Sequence, residues 1–175
     1  GKPVEYAEIR SPHGHDAFLL ETSQLGSILA GAQGRPPKPL VPAMAREARH
    51  VRVAVIGAGK VAARFLRLLE ERAEQILEER RLSIEVVGVA DIDPARRFDP
   101  VFDRIGIDFD PARLVNRDDV DVVLEVTRGT GSLPIVEAAL RRRLPVVTTN
   151  KRLVRQSGRE LERLALEHGV RLAYH

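Results

Sequence analysis

Two closely spaced glycines, Gly57 and Gly59, separate a run of apolar residues from a helical segment in VRVAVIGAGKVAARF. With Ala62 they form a G-x-G-x-x-A pattern. Gly57 permits a tight turn, Gly59 lets the backbone approach a phosphate, and Ala62 keeps the helix close to the strand. The helix N-terminus adds N–H donors and a positive partial charge. The pattern predicts a turn that binds the pyrophosphate of a dinucleotide; a glycine turn without a ligand is the alternative.

An acidic residue, Asp91, follows the second apolar run and suits the ribose diol of NAD. It stands further from the glycines than the usual spacing of about twenty residues, because the intervening helix is long. Arg96 and Arg97 lie just beyond it. They either meet the 2′-phosphate of NADP or belong to an exposed turn, so the choice between NAD and NADP stays open.

A second group of reactive side chains lies near the start of the chain, in SPHGHDAFLL. His13, His15 and Asp16 stand in a glycine-containing turn ahead of a predicted amphipathic helix over residues 16–30. Two histidines and an acid in such a turn are typical of residues that complete an active site. The alternative is two surface histidines in a turn without a catalytic role.

The composition limits the class of protein. A chain of 175 residues with 43% hydrophobic and 30% charged residues fits a soluble globular protein with one ordinary core. The formal net charge is only +3 and aromatic residues make up 4%, which argues against nucleic-acid binding. The chain has no cysteine, which excludes disulfides, thiolate catalysis and Cys-ligated zinc and suits the cytoplasm. No apolar run reaches membrane-spanning length, so no membrane partner is expected.

The elements that must position these residues alternate between strand and helix from residue 49 onward. The near-continuous apolar run VRVAVIG predicts a strand that is buried on both faces of a parallel sheet, and LPVVTTN predicts another buried strand. The predicted strands are VRVAVIG, IEVVGVAD, VDVVLEV, LPVVTTN and VRLAYH. Three helices are expected. The first covers residues 61–80, and the second follows a Ser132 cap and has Pro134 in its first turn. The third ends at Gly169, which is predicted to be its C-terminal cap. The predicted class is α/β, a Rossmann-type doubly wound parallel sheet.

The leading residues are predicted to form a separate unit. Residues 4–9 are strand-like and lead into the histidine turn, so residues 1–30 are expected to form a strand-turn-helix unit. Residues 31–48 are rich in proline and glycine and predict a semi-extended linker. Residues 49–175 are then the dinucleotide-binding domain.

The later motifs carry a resemblance to a family. VDVVLEVTRGTGS and LPVVTTNKRLVRQSGRELERLALEHGVRLAYH, with the glycine turn, resemble the nucleotide-binding domain of homoserine dehydrogenase. The resemblance covers about residues 50–175. It implies that the backbone at Gly57, Gly59, Lys60 and Val61 holds the pyrophosphate. It also implies that the cofactor lies beside residues that follow two later strands, namely Thr127, Arg128, Thr149, Asn150 and Lys151.

Within this resemblance Lys151 matches the family's lysine near the nicotinamide and the substrate, which implies a catalytic role; a helix-start lysine in water is the alternative. The sequence also departs from the family pattern. Arg128 stands where the family usually has glycine, Thr149 replaces alanine, and His175 replaces glutamate. The chain stops there, so the family's catalytic domain is expected to be missing and the fragment to be inactive alone.

VEYAEIRSPHGHDAFLLE, in turn, resembles the carboxyl-terminal end of homoserine O-acetyltransferase, an α/β-hydrolase-type enzyme with a Ser-His-Asp triad. The resemblance implies that residues 1–30 are a strand-turn-helix remnant of an α/β-hydrolase-like fold, that His15 matches the catalytic histidine, and that His13 is a bystander. Without the serine, the acid and the oxyanion hole, His15 has nothing to activate.

Together the two resemblances imply a junction in a bifunctional enzyme of the aspartate-derived amino-acid pathway. The implied reaction is reversible hydride transfer between NAD(P)H and aspartate semialdehyde to give homoserine, in a cytoplasmic homo-oligomer. The alternatives are the O-acetyltransferase activity, a non-catalytic dinucleotide-binding module, or another small-substrate dehydrogenase.

Overall fold

The computed structural model describes residues 48–93 and 99–174, which form one parallel sheet with helices on both faces. The strands are β1 Arg49–Ile56, β2 Leu82–Ala90, β3 Ile107–Asp108, β4 Val122–Glu125, β5 Val146–Thr148 and β6 Leu172–Tyr174. The helices are α1 Lys60–Glu71, α2 Ala73–Arg80, α3 Pro111–Val115, α4 Leu133–Arg141 and α5 Lys151–His168, with a short 3-10 helix at Pro100–Phe102. None of the helices in these two ranges is both long and apolar enough to cross a bilayer.

The strand order is β3-β2-β1-β4-β5-β6, and every neighbouring pair is parallel. The chain therefore reverses direction across the sheet between β1 and β4, and a crevice opens there at the carboxyl ends of the strands. This order confirms the predicted doubly wound α/β fold.

The alternating side chains of β1 divide between two cores, which explains its continuous apolar sequence. Val51, Val53 and Val55 pack with α1, α2 and the 3-10 helix on one face. Ala54 and Ile56 pack with α3, α4 and α5 on the other. Because both faces are covered, every position of the strand after His50 except Arg52 is fully buried.

The exception, Arg52, ties β1 to the segment that precedes β4. Its guanidinium donates to both carboxylate oxygens of Asp121 at 3.0 Å, and its backbone N–H donates to the same carboxylate at 2.9 Å. These hydrogen bonds lower the pKa of the Asp121 carboxyl below its ordinary value. The pair fixes the register of the two strands on which the crevice depends.

The prediction of one long helix over residues 61–80 is wrong in detail, because the segment is broken at Arg72 into α1 and α2. The break redirects the last two turns so that Ile76 is buried while Leu77 remains 40% exposed. Packing against β2 decides the direction of α2, and the spacing of apolar residues does not show it.

The 3-10 helix, β3 and α3 were not predicted from the sequence. β3 has two residues and α3 has five, so neither carries a usable periodicity. A close approach to β2 fixes α3: a Cβ placed on Gly88 would lie 2.6 Å from Leu114 Cδ1. A glycine in β2 therefore makes room for the leucine of α3.

Other expectations agree with the structure or lie outside it. α5 ends at Gly169, which is in the left-handed region at φ +65° as predicted for a C-terminal cap. Ser132 occupies the position before α4 but forms no side-chain cap. The predictions for the strand-turn-helix, the linker to residue 47, and His13, His15, Arg96, Arg97 and His175 fall outside the described residues.

Candidate functional site

The glycine turn lies at the carboxyl end of β1, in the crevice between β1 and β4. Gly57 has φ +107°, a conformation that only glycine adopts readily, and Gly59 precedes the first residue of α1. No side chain caps α1 and no acidic residue lies in its first turn, so the N–H groups of that turn are available to an acceptor from outside the helix. Lys60 is exposed and Val61 half-buried at this point.

Gly57 also brings together two motifs that are far apart in the sequence. A Cβ on Gly57 would lie 3.0 Å from Thr127 Cγ2 and 3.1 Å from the backbone carbon of Val126. The turn after β1 and the loop after β4 are therefore in contact, and this contact forms the floor of the crevice.

Asp91 lies at the end of β2 and joins the same edge. Its carboxylate accepts the backbone N–H of Ala58 at 2.8 Å and that of Asp93 at 2.9 Å. One oxygen therefore holds the glycine turn, and the half-buried side chain stands where this fold places the ribose ligand.

The loops after β4 and β5 are held by hydrogen bonds centred on a buried carboxylate, Glu125, which is 0% exposed. Its Oε1 accepts the backbone N–H of Thr127 at 3.0 Å, the Thr127 hydroxyl, and the side-chain amide of Asn150 at 3.3 Å. Its Oε2 accepts the Thr148 hydroxyl. We call Glu125, Thr127, Ser132, Thr148 and Asn150 the β4–β5 network.

Asn150 links this network to α5. Its Nδ2 donates to the carbonyl of Gly129 at 2.7 Å, and its Oδ1 accepts the backbone N–H of Leu153 at 3.1 Å, which caps the helix. Lys151, the first residue of α5, is exposed next to it. The network thus fixes the position from which the Lys151 ammonium extends.

The predicted site residues therefore share one edge of the sheet. Gly57, Gly59, Lys60 and Val61 lie at the β1–α1 turn and Asp91 at the end of β2, whereas Thr127, Arg128, Thr149, Asn150 and Lys151 follow β4 and β5. Thr149 is half-buried and its N–H donates to the Glu125 carbonyl at 3.2 Å, and Arg128 is exposed in its loop.

Sequence reasoning did not single out Glu125, Ser132 or Thr148 as site residues. Ser132 Oγ lies 3.1 Å from Thr127 Oγ1, within hydrogen-bonding distance, and does not cap α4. The one available signal was Glu125 itself, an acid in the otherwise apolar strand VVLEV. A charge in a strand that is buried on both faces needs partners, and the hydroxyls and amide nearby provide them.

A matched pair of variants tests the part played by Asn150. Asn150→Ala removes a helix cap and the donor to Gly129, and we expect it to lower the free energy of unfolding by about 1–3 kcal/mol. Asp110→Ala removes the cap of α3, where Asp110 accepts the N–H groups of Ala112 and Arg113, and should cost about 1 kcal/mol. Urea unfolding gives both values. Dinucleotide affinity should fall only in Asn150→Ala; equal effects of the two variants on affinity would contradict this assignment.

The parallel sheet, the uncapped glycine turn and the acid after β2 define a Rossmann-type dinucleotide-binding domain. A family model described as homoserine dehydrogenase, NAD binding domain, matches residues 57–175. The chain belongs to this family, which confirms the predicted cofactor class, a nicotinamide dinucleotide.

Individual relatives agree with this assignment. Homoserine dehydrogenase from Neisseria gonorrhoeae is 32% identical over 123 residues, which are 69% of this chain and 28% of that protein. A crystal structure of a homoserine dehydrogenase from Thiobacillus denitrificans superimposes with a TM-score of 0.67 and 26% identity, covering 72% of this chain and 29% of that chain. The chain thus spans less than a third of the length of these relatives.

A second group of similarities is short. Homoserine O-succinyltransferase from Litchfieldella anticariensis is 57% identical over 35 residues, which are 20% of this chain and 9% of that protein.

Proposed function

We propose that this chain binds NAD or NADP as the dinucleotide-binding part of a homoserine dehydrogenase. The observation that carries the proposal is the contact of Gly57 with the loop of Thr127, because it places the glycine turn and the β4–β5 network on one crevice. The family match over residues 57–175 supports it independently.

The residues present fit a dinucleotide. The backbone of Gly57, Gly59, Lys60 and Val61 would hold the pyrophosphate, since α1 has no cap of its own and its N-terminus favours an anion. Asp91 would accept hydrogen bonds from a ribose. Thr127, Arg128, Thr149 and Asn150 would line the other half of the crevice. The NADP alternative stays open because Arg96 and Arg97 lie outside the described residues.

The proposed reaction is the reversible reduction of aspartate semialdehyde to homoserine. When bound in its reduced form, the nicotinamide would supply the hydride for the aldehyde carbon, and the aldehyde oxygen would take up a proton. Lys151 is exposed at the mouth of the crevice, and its ammonium suits the carbonyl oxygen or the carboxylate of the substrate. We assign proton transfer and the other substrate contacts to parts of the enzyme beyond this chain, because the relatives are much longer.

Calorimetric titration of the chain with NADH, NADPH and homoserine tests the proposal. We expect saturable binding of at least one dinucleotide and no heat from homoserine alone, since we assign most of the substrate contacts to the part of the relatives that this chain does not cover. Absence of heat with both dinucleotides would contradict the proposal.

A second candidate function belongs to the leading residues. The short matches to homoserine O-succinyltransferases favour it, and we infer that they arise from residues 1–40, where His15 stands in the GHDAFL motif. The motif resembles that of O-acetyltransferases, so the acyl group is acetyl or succinyl. In a polypeptide that includes the upstream residues, His15→Ala should abolish acyl transfer from CoA to homoserine, and retained transfer would oppose this role.

A further inference from the structure

Glu125 is a buried carboxylate to which the proposed function gives no role. Its side chain is fully buried, and both of its carboxylate oxygens accept hydrogen bonds from other members of the β4–β5 network. Burying a carboxylate in an apolar strand is costly unless its partners compensate.

All of these donors are neutral groups. They are a backbone N–H, a side-chain amide and two hydroxyls, and none of the ion pairs within residues 48–93 and 99–174 includes Glu125. Thr148 Oγ1 accepts the N–H of Asn150 at 3.0 Å, so its own proton is directed to Glu125. The arrangement fits an ionised carboxylate, a negative charge that is solvated by dipoles and has no opposite charge beside it.

The position of this charge in the sheet is specific. Glu125 is the last residue of β4, paired with Ile56 of β1 on one side and with Thr148 of β5 on the other. It therefore stands at the point where the strand order reverses, next to the glycine turn that follows Ile56.

The fold determines which half of a dinucleotide comes to this place. Asp91, at the end of β2, marks the side of the adenosine ribose, and the glycine turn marks the pyrophosphate. The nicotinamide half must then extend to the opposite side, over the ends of β4 and β5. Glu125 lies beneath that side of the crevice.

We propose that Glu125 sets the preference of the site between the two redox forms of the dinucleotide, its buried negative charge favouring the oxidised form. The oxidised nicotinamide ring is cationic and the reduced ring is neutral, so only the oxidised ring is attracted by the carboxylate. Little water screens this attraction, because Glu125 is fully buried. The inference rests on the proposed binding of NAD or NADP.

The test is the ratio of two dissociation constants in the wild-type chain and in Glu125→Gln. Each protein is titrated with the oxidised and the reduced form of whichever dinucleotide the wild type binds, by calorimetry and by the fluorescence of the reduced form. We expect Glu125→Gln to weaken oxidised relative to reduced binding on the order of tenfold, the low end of what an opposite charge does to a neighbouring ionisation equilibrium. A purely structural role would weaken both forms equally, and that result would overturn the inference.

Thr148→Val is the matched control. It removes the hydroxyl that donates to Glu125 and accepts from Asn150, but it leaves the charge in place. We expect it to weaken both forms alike and to leave the ratio unchanged. If Thr148→Val shifts the ratio as much as Glu125→Gln does, geometry and not charge is responsible, and the inference is wrong.

The wild-type chain provides a measurement that does not depend on a variant folding. With the charge present, the oxidised form should bind at least as tightly as the reduced form, whereas a tenfold preference for the reduced form would contradict the inference. Failure of the proposed function is distinct from both results, because then the wild type would bind neither form.

Discussion

Gly57→Ala should weaken dinucleotide binding by about a hundredfold. The new Cβ would meet Thr127 Cγ2 at 3.0 Å and the backbone of Val126 at 3.1 Å, and backbone atoms cannot move aside as a flexible side chain can. The turn must shift, and with it the N–H groups that we propose hold the pyrophosphate. Loss of two charge-assisted hydrogen bonds of about 1.5 kcal/mol each corresponds to about a hundredfold in affinity.

The same variant should also unfold more easily. At φ +107° an alanine is strained, and strain together with the steric contact should lower the free energy of unfolding by about 2–4 kcal/mol. Calorimetric titration and urea unfolding measure the two effects separately.

Gly106→Ala is the control for backbone strain. Gly106 also has a positive φ, +76°, but nothing lies within 4 Å of a Cβ placed on it. Gly106 precedes β3, away from the glycine turn. The substitution should therefore lower the free energy of unfolding by about 1–2 kcal/mol and leave the dinucleotide affinity unchanged. Unaltered dinucleotide binding in Gly57→Ala, or an equal loss of affinity in Gly106→Ala, would contradict the assigned role of the turn.

Lys151→Met should lower the kcat of homoserine oxidation by about two to three orders of magnitude. The measurement requires a polypeptide that joins this domain to the remainder found in its homoserine dehydrogenase relatives. Removing a preorganised charge at the reacting oxygen has an effect of this size. Because the Lys151 side chain is exposed, the free energy of unfolding should change little.

Arg152→Met is a matched control for Lys151. Arg152 is the next residue of α5 and is also exposed, so the substitution removes a positive charge from the same helix turn. Its kcat should stay within about twofold of the wild type, as for most surface substitutions. A kcat for Lys151→Met that matches that of Arg152→Met would show that Lys151 does not act on the substrate.

Most of the fold could be predicted because its signals are local. The apolar runs of β1, β4 and β5 give buried strands, the run of β2 gives a strand that is mostly half-buried, and Gly169 gives α5 its C-terminal cap. β3 and α3 could not be predicted, since a two-residue strand and a five-residue helix leave no periodic pattern. The break at Arg72 was missed for a different reason, because packing on β2 overrides the helical spacing of residues 61–80.

The sequence by itself determined the kind of ligand site. Gly57, Gly59 and Ala62 between a buried strand and a helix specify a phosphate-binding turn, because backbone geometry there depends on residues that are adjacent in the chain. Only the tertiary structure decided which other groups meet that turn. Ile56 of β1 pairs with Glu125 of β4, and this pairing brings Gly57 against Thr127 and places a buried carboxylate beneath the crevice. Such contacts join residues about seventy positions apart, and the pairing of β1 with β4, two strands that are distant in the sequence, sets them.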